Sequence, residues 1–256
     1  MITNKTLGII GGHGYNATIH FQMILSIEIN KLFNTRNYIK TIVFNDSNLY
    51  DNGKEPDTVY QDTIDENKIK GKLSEYYQNL IDLNASLIII PCNSYSSFLS
   101  EVSKKKKSIP VLNIIDVTCD YINNNYYNIP KIGLIATKQT INTNKYQRNL
   151  NMEVVVIEPE SIYDIYKALR LTMYGYYQKE PTKEVLEILD IENTSAFIIM
   201  EKLVNQFVNK GIYHIILGCT ELPLIVDYNK HKFNSKVVFI SSTDILVKDV
   251  INKLTK

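Results

Sequence analysis

Two stretches decide the fold: Leu87-Ile88-Ile89-Ile90-Pro91-Cys92-Asn93-Ser94 and His214-Ile215-Ile216-Leu217-Gly218-Cys219-Thr220-Glu221. Each is an apolar, β-branched run that stops at a cysteine followed by small polar residues. A strand buried on both faces of a parallel sheet has this pattern, ending where the chain turns into a helix. Ligands of open α/β sheets gather at that carboxyl end of the strands. One such thiol falls in each half of the chain, which points to a paired site.

Outward from these stretches, strands alternate with helices. Leu7-Gly8-Ile9-Ile10 runs into Gly11-Gly12-His13-Gly14-Tyr15-Asn16-Ala17-Thr18. A helix follows, with Phe21, Ile24, Leu25, Ile27 and Leu32 at near-helical spacing. Lys40–Asn45 reads as a second strand, and 46–63 as a long polar loop of the kind that covers active sites. A helix over 64–83 leads to the Leu87 strand. The next strand is expected at 110–113, and a helix at 114–122. The polar segment 123–130 is a candidate hinge, after which the pattern restarts. Strands are expected at 131–136, 153–157, 212–217 and 237–240, with one helix opening at Thr137 and reaching about residue 150. Further helices are expected at 161–173, 183–189, 195–209 and 243–254. The fold class is therefore α/β: two similar Rossmann-like lobes with parallel sheets.

Composition narrows the function. The chain has 256 residues, 45% of them hydrophobic and 21% charged, enough to bury a sizeable core. A net charge of +1 provides no global field for nucleic acid or membrane surfaces. The run Lys104–Lys107 reads as a solvated helix end. No apolar stretch reaches the roughly 18 residues of a membrane span, and no signal-peptide pattern opens the chain, so a cytoplasmic location is the default. Three dispersed cysteines make neither a zinc spacing nor a disulfide framework. His20, His214 and His231 have no metal-ligand spacing, so no metal site is expected.

Cys119, within Val117-Thr118-Cys119-Asp120-Tyr121, reads as a buried core residue. Cys92 and Cys219 sit at strand-to-helix junctions, where backbone N–H groups and the helix dipole stabilise a thiolate. Core packing and chemistry both fit them. Two opposed thiols suit inversion of a stereocentre beside a carboxylate, one removing a proton and the other returning one. The developing enolate needs donors, and Asn93, Ser94 and Thr220 adjoin the thiols. Glu221 follows Cys219-Thr220 closely enough to tune the thiol or hold an ammonium group; helix capping is its structural alternative.

These residues carry a resemblance. Gly11–Thr18, Pro91-Cys92-Asn93-Ser94 and Gly218-Cys219-Thr220-Glu221-Leu222-Pro223 resemble the aspartate/glutamate racemase superfamily. So do Lys131–Thr137 with Thr140, and Ser242-Thr243-Asp244-Ile245-Leu246, in family order over nearly the whole chain. The resemblance implies an amino-acid racemase acting on an aspartate- or glutamate-like substrate without a cofactor, pyridoxal phosphate included. Cys92 and Cys219 would be its acid and base, in a cleft between the lobes. Gly12, His13, Asn93, Ser94, Thr137, Thr220 and Glu221 would line the substrate. It also implies a discontinuous first lobe (1–115 plus 226–256), a second lobe (116–225) and a homodimer.

The sequence departs from the family pattern in three places. His13 stands where the glycine turn usually has Met, and Tyr95-Ser96 where the first cysteine motif usually continues Ala-His. The loop reads Glu55-Pro56-Asp57-Thr58, without the Arg by which aspartate racemases grip a carboxylate. A Thr does not replace a bidentate guanidinium, so Lys54 and His13 are the remaining groups to compensate. His13 is expected to face substrate as a cation or hydrogen-bonding group, with simple solvent exposure as the alternative.

Three rival readings remain at this level. Gly12-His13-Gly14-Tyr15-Asn16-Ala17 satisfies a dinucleotide-binding pattern, with Asp46 as a distant acidic partner. Isomerases and decarboxylases of small diacids share the two-lobed plan. A binding protein without turnover would also keep the fold.

Overall fold

The computed structural model describes residues 4–34, 39–47, 66–106, 109–177 and 195–255. The chain divides into two compact units, Met1–Val117 with Thr243–Lys256, and Thr118–Ser242. The return to the first unit comes at Thr243 rather than at 226. The reason is strand pairing: Val238–Ser241 joins the second unit's sheet beside His214–Leu217, which holds the preceding helix there too.

In the first unit, β1 (Thr6–Gly11), β2 (Lys40–Asn45), β3 (Leu87–Ile89) and β4 (Val111–Leu112) form one parallel sheet of order β2-β1-β3-β4. Its helices are α1 (Tyr15–Phe33), α2 (Glu66–Asp82), α3 (Ser96–Lys106) and α4 (Ile114–Asn125), the last spanning the unit boundary. Leu7, Ile9 and Ile10 of β1 and Ile88 and Ile89 of β3 have no exposed surface. Helices therefore cover both faces, and this two-sided burial accounts for the continuous apolar runs. Leu73, Tyr77 and Leu80, at near-helical spacing, pack α2 onto the sheet in a core with Ile10, Ile88 and Leu99.

The second unit repeats the plan with β5 (Lys131–Ile135), β6 (Glu153–Val156), β7 (His214–Leu217) and β8 (Val238–Ser241), in the order β6-β5-β7-β8 and parallel throughout. Its core gathers Ile135, Ile165, Met200, Leu203, Phe207, Ile215 and Leu217. The helix expected from Thr137 is instead two short ones, α5 (Lys138–Asn142) and α6 (Lys145–Asn149). Asn144 breaks them by adopting a left-handed φ of 52°, a conformation Asn tolerates better than most residues. Arg148 Nη2 donates to the freed Thr143 carbonyl at 2.7 Å.

Helix α7 (Ile162–Tyr177) follows a 3-10 turn at Pro159–Ser161. Helix α8 is Ala196–Val208, capped by Ser195, whose hydroxyl accepts from the Ile198 N–H. Then come α9 (Leu222–Asn229) and α10 (Ser242–Thr255). The expected 183–189 helix and most of the 46–63 loop, with Lys54 and Thr58, lie outside the described residues. Among the described residues, no helix is long and apolar enough to cross a membrane.

Tyr77 ties α2 to the approach of β4. Its hydroxyl donates to the Ile109 carbonyl at 2.9 Å and accepts from the Ile109 N–H at 3.1 Å. Tyr77→Phe leaves both backbone groups short of a partner. Urea denaturation is expected to show a loss of about 1–2 kcal/mol.

Candidate active site

In each unit the order of strands reverses beside the first strand. β1 connects to β2 on one side, and β3 lies on the other; β5 relates to β6 and β7 in the same way. A crevice opens at such a switch point because successive connections leave in opposite directions. Register sets what lines it. Ile9 pairs with Ile89, so Gly12 and Cys92, each three residues on, leave the sheet at the same level. Ile135 pairs with Leu217, so Thr137 and Cys219, each two residues on, do likewise.

In the first unit, the strand exits begin with the glycine turn. Gly12 has φ 110°, and a Cβ there would run into the backbone of Asp46. Only glycine combines that conformation with so close an approach. His13 follows, and its ring meets that of Tyr95 edge-on at 4.2 Å. Tyr95 is itself buried. The two departures from the family pattern, at 13 and 95, thus pack against each other. The protein around His13 disfavours an imidazolium and pushes its pKa down to about 4. Its ring is open to solvent, which screens that penalty, but the direction makes it a neutral ring at pH 7. Of the options read from the sequence, this disfavours the cation. Helix α1 starts here with no acidic residue in its first turn and no side-chain cap, leaving N–H groups for an anion.

Cys92 is buried, as are Asn93 and Ser94. A polar brace below them was not legible from the motif. Ser96 Oγ lies 3.3 Å from the Asn93 carbonyl and 3.2 Å from Asn113 Oδ1. Asn113 Oδ1 also accepts from the Ile115 and Asp116 N–H groups at the start of α4, and its amide donates to Ser100. Asn113 thus caps one helix and steadies the cysteine turn. The signal available was its place between a strand and a helical pattern, a common capping position. Asn45, the last residue of β2, has its Oδ1 buried without a hydrogen-bond partner, beside Gly11.

Asp46 bears on the dinucleotide alternative. Its carboxylate accepts from the Tyr76 hydroxyl at 2.6 Å and lies 3.8 Å from Lys72. That hydrogen bond, with burial and charge added, pushes the Tyr76 pKa up to about 12. The group is engaged within the first unit rather than presented to a ribose.

In the second unit, Thr137 caps α5: its Oγ1 accepts from the Thr140 N–H at 3.4 Å. The Gly218 N–H donates to the Ile135 carbonyl at 2.8 Å, holding the β7 exit against β5. A Cβ at Gly218 would press on Leu134 and Ala136. Cys219 follows, partly exposed, while Thr220 and Glu221 are buried. The Cys219 thiol donates to Glu221 Oε2 at 3.0 Å, and the Thr220 hydroxyl lies 3.4 Å from the same oxygen. Glu221 occupies the N-cap position of α9 but makes no side-chain cap hydrogen bond. Its carboxylate is turned to the thiol instead. Burial pushes its pKa up, opposed by hydrogen bonds from Cys219, its own N–H and Thr220.

The other candidates separate cleanly. Cys119 is 1% exposed within α4 and belongs to the core. His20 is buried with Nδ1 unpartnered, and His214 packs against Tyr126. Among the described residues, no group of His, Cys, Asp and Glu is arranged to hold a metal ion.

Two parallel-sheet units with matching switch points invite comparison with known proteins. Residues 46–250 match the family described as Asp/Glu/Hydantoin racemase. The chain belongs to that family. A glutamate racemase from Bacillus cereus is 26% identical over 182 residues, covering 69% of this chain and 60% of its own length. A glutamate racemase from Hydrogenobaculum is 28% identical over 177 residues, covering 69% of this chain and 61% of its own. The matched region therefore spans about three fifths of these curated relatives. Among solved structures, an aspartate racemase homologue from Pyrococcus horikoshii superposes with a TM-score of 0.70 at 22% identity, covering 98% of this chain and 100% of its own. Glutamate racemase from Francisella tularensis, solved in complex with D-glutamate, gives 0.64 at 21% identity, covering 98% and 81%. At these identities the structural likeness speaks for the fold.

Two measurements test this geometry. Gly12→Ala should cost about 1–3 kcal/mol from the forced φ alone, with the Asp46 clash added, read as a lower urea midpoint. The His13 imidazole signals should stay flat from pH 8 to 6 and move only toward pH 4. Because folding lowers this pKa, the unfolded chain takes up the proton first as pH falls. The contribution of His13 to stability is thus present above about pH 6.5 and lost as the pH falls toward its folded value.

Proposed function

We propose that the protein is a cofactor-independent amino-acid racemase in which Cys92 and Cys219 serve as acid and base on opposite faces of Cα. One observation supports this above the rest: each thiol leaves the switch point of its own sheet, at the level of that sheet's first strand. An evenly built pair of half-sites suits a reaction that is its own mirror image. In one direction, one thiolate takes the Cα proton while the other thiol gives its proton to the opposite face; in the other direction the roles exchange. The substrate class is a small acidic amino acid. The N-terminus of α1, without acidic residues or a side-chain cap, supports carboxylate binding there. Neutral His13, Asn93, Ser94, Thr137 and Thr220 supply further hydrogen-bonding groups around the thiols.

A homodimer belongs to the same reading. The outward face of α1 exposes Tyr15, Ile19, Met23 and Ile27 every fourth residue, with Gln22, Ser26 and Asn30 beside them and the Glu28–Lys31 ion pair at its C-terminal end. That face would be apolar surface for a second copy to bury. Sedimentation of Met23→Glu should give a lighter particle than wild type if the face is used.

The deciding experiment incubates the chain with a panel of L- and D-amino acids in deuterated water, without added pyridoxal phosphate. Loss of the Cα proton signal with appearance of the opposite enantiomer is the expected result. Cys92→Ala and Cys219→Ala should each lower racemisation by about 10³-fold or more, and each variant is also assayed for one-sided Cα exchange. Wild-type rates in both single variants would sink the two-thiol mechanism.

A further inference from the structure

We propose that Cys219 and Glu221 act as one unit sharing a single proton, with Glu221 as the positioning residue that takes the thiol proton and so makes Cys219 the base of the resting enzyme. The proposal rests on the racemase reading above, but its geometry lies wholly within the second unit.

Three observations carry it. The thiol and Glu221 Oε2 are 3.0 Å apart, with the thiol as donor. Glu221 is 7% exposed, so water does little to solvate its charge. Finally, the carboxylate forgoes the nearby helix N-terminus, its usual partner at this position, and spends its hydrogen bonding on the Cys219–Thr220 turn. A buried carboxylate in contact with a thiol is a proton acceptor already in place. The groups that act on it are the thiol, its own N–H and the Thr220 hydroxyl, and burial raises its proton affinity.

The transfer balances without any co-reactant. The S–H bond of Cys219 breaks and an O–H bond forms on Glu221, so thiol plus carboxylate becomes thiolate plus carboxylic acid. The pair carries one negative charge in both states, and no charge is created in the buried site. The thiolate then accepts the Cα proton, and Cys92 gives its own proton to the opposite face. The turn after Cys92, Asn93-Ser94-Tyr95-Ser96, carries no carboxylate of its own. The two thiols would then differ at rest, although the reaction they serve is symmetric.

The test follows alkylation of Cys219 by iodoacetamide against pH, in full-length chain carrying Cys92→Ser and Cys119→Ser. A shared proton makes the thiolate fraction of the one-proton pair independent of pH. The rate should therefore hold a plateau through pH 6–7. In Glu221→Gln the plateau should vanish, leaving a single rise near the ordinary thiol pKa of about 8.5 and a rate at pH 6 lower by about tenfold or more. Glu221→Asp keeps the carboxyl and should keep a plateau at reduced height, which also serves if the Gln variant fails to fold. An unchanged or faster rate at pH 6 in Glu221→Gln, or no plateau in the parent, overturns the proposal. The readout needs no turnover. Absent racemisation with an intact plateau would reject only the enzymatic reading, and racemisation with no plateau would reject only the shared proton.

Discussion

Everything at the site depends on the divergence of chain connections at two points, between β1 and β3 and between β5 and β7. A parallel strand cannot return by a hairpin, so each exit must turn into a helix on one face or the other. Where neighbouring exits turn opposite ways, side chains at the strand ends are left uncovered by either helix. The hydrogen-bond register then decides which residues those are. It aligns Gly12 with Cys92 and Thr137 with Cys219, pairs separated by about eighty residues of chain.

Holding such exits takes polar contacts that the apolar core cannot provide. In the first unit, Asn113 joins the cysteine turn to the start of α4 through Ser96. The glycine turn packs against the Asp46 backbone, whose side chain is anchored by Tyr76. In the second unit, the Gly218–Ile135 hydrogen bond and the Glu221 carboxylate do the corresponding work. Of these, the contacts at Asp46 and Glu221 involve a carboxylate, and hydrogen bonds to ionised groups are stronger than neutral ones.

The two units are alike in topology and unlike in the side chains at their strand exits. His13 is a neutral ring packed on Tyr95, and Glu221 is a buried acid bonded to Cys219. Backbone plan and local dielectric are separate variables, because the first follows from strand pairing and the second from a few side chains in each turn. A symmetric fold can thus surround two thiols with different side chains.

Much of this was legible in the chain itself. The β-branched runs ending in Cys92 and Cys219 determined two buried parallel strands and where they end, because burial on both faces leaves no polar positions in the run. Alternation of strand and helix determined the α/β class, and the motifs around both cysteines determined the family. Local pattern failed where a contact crossed long stretches of sequence. The return at Thr243 was decided by β8 pairing with β7, the break at Asn144 by a single left-handed residue, and the brace at Asn113 by partners on three elements. The environments of His13 and Glu221 were also tertiary decisions. A side chain's letter states what it can titrate, but only the atoms packed around it decide where its proton rests.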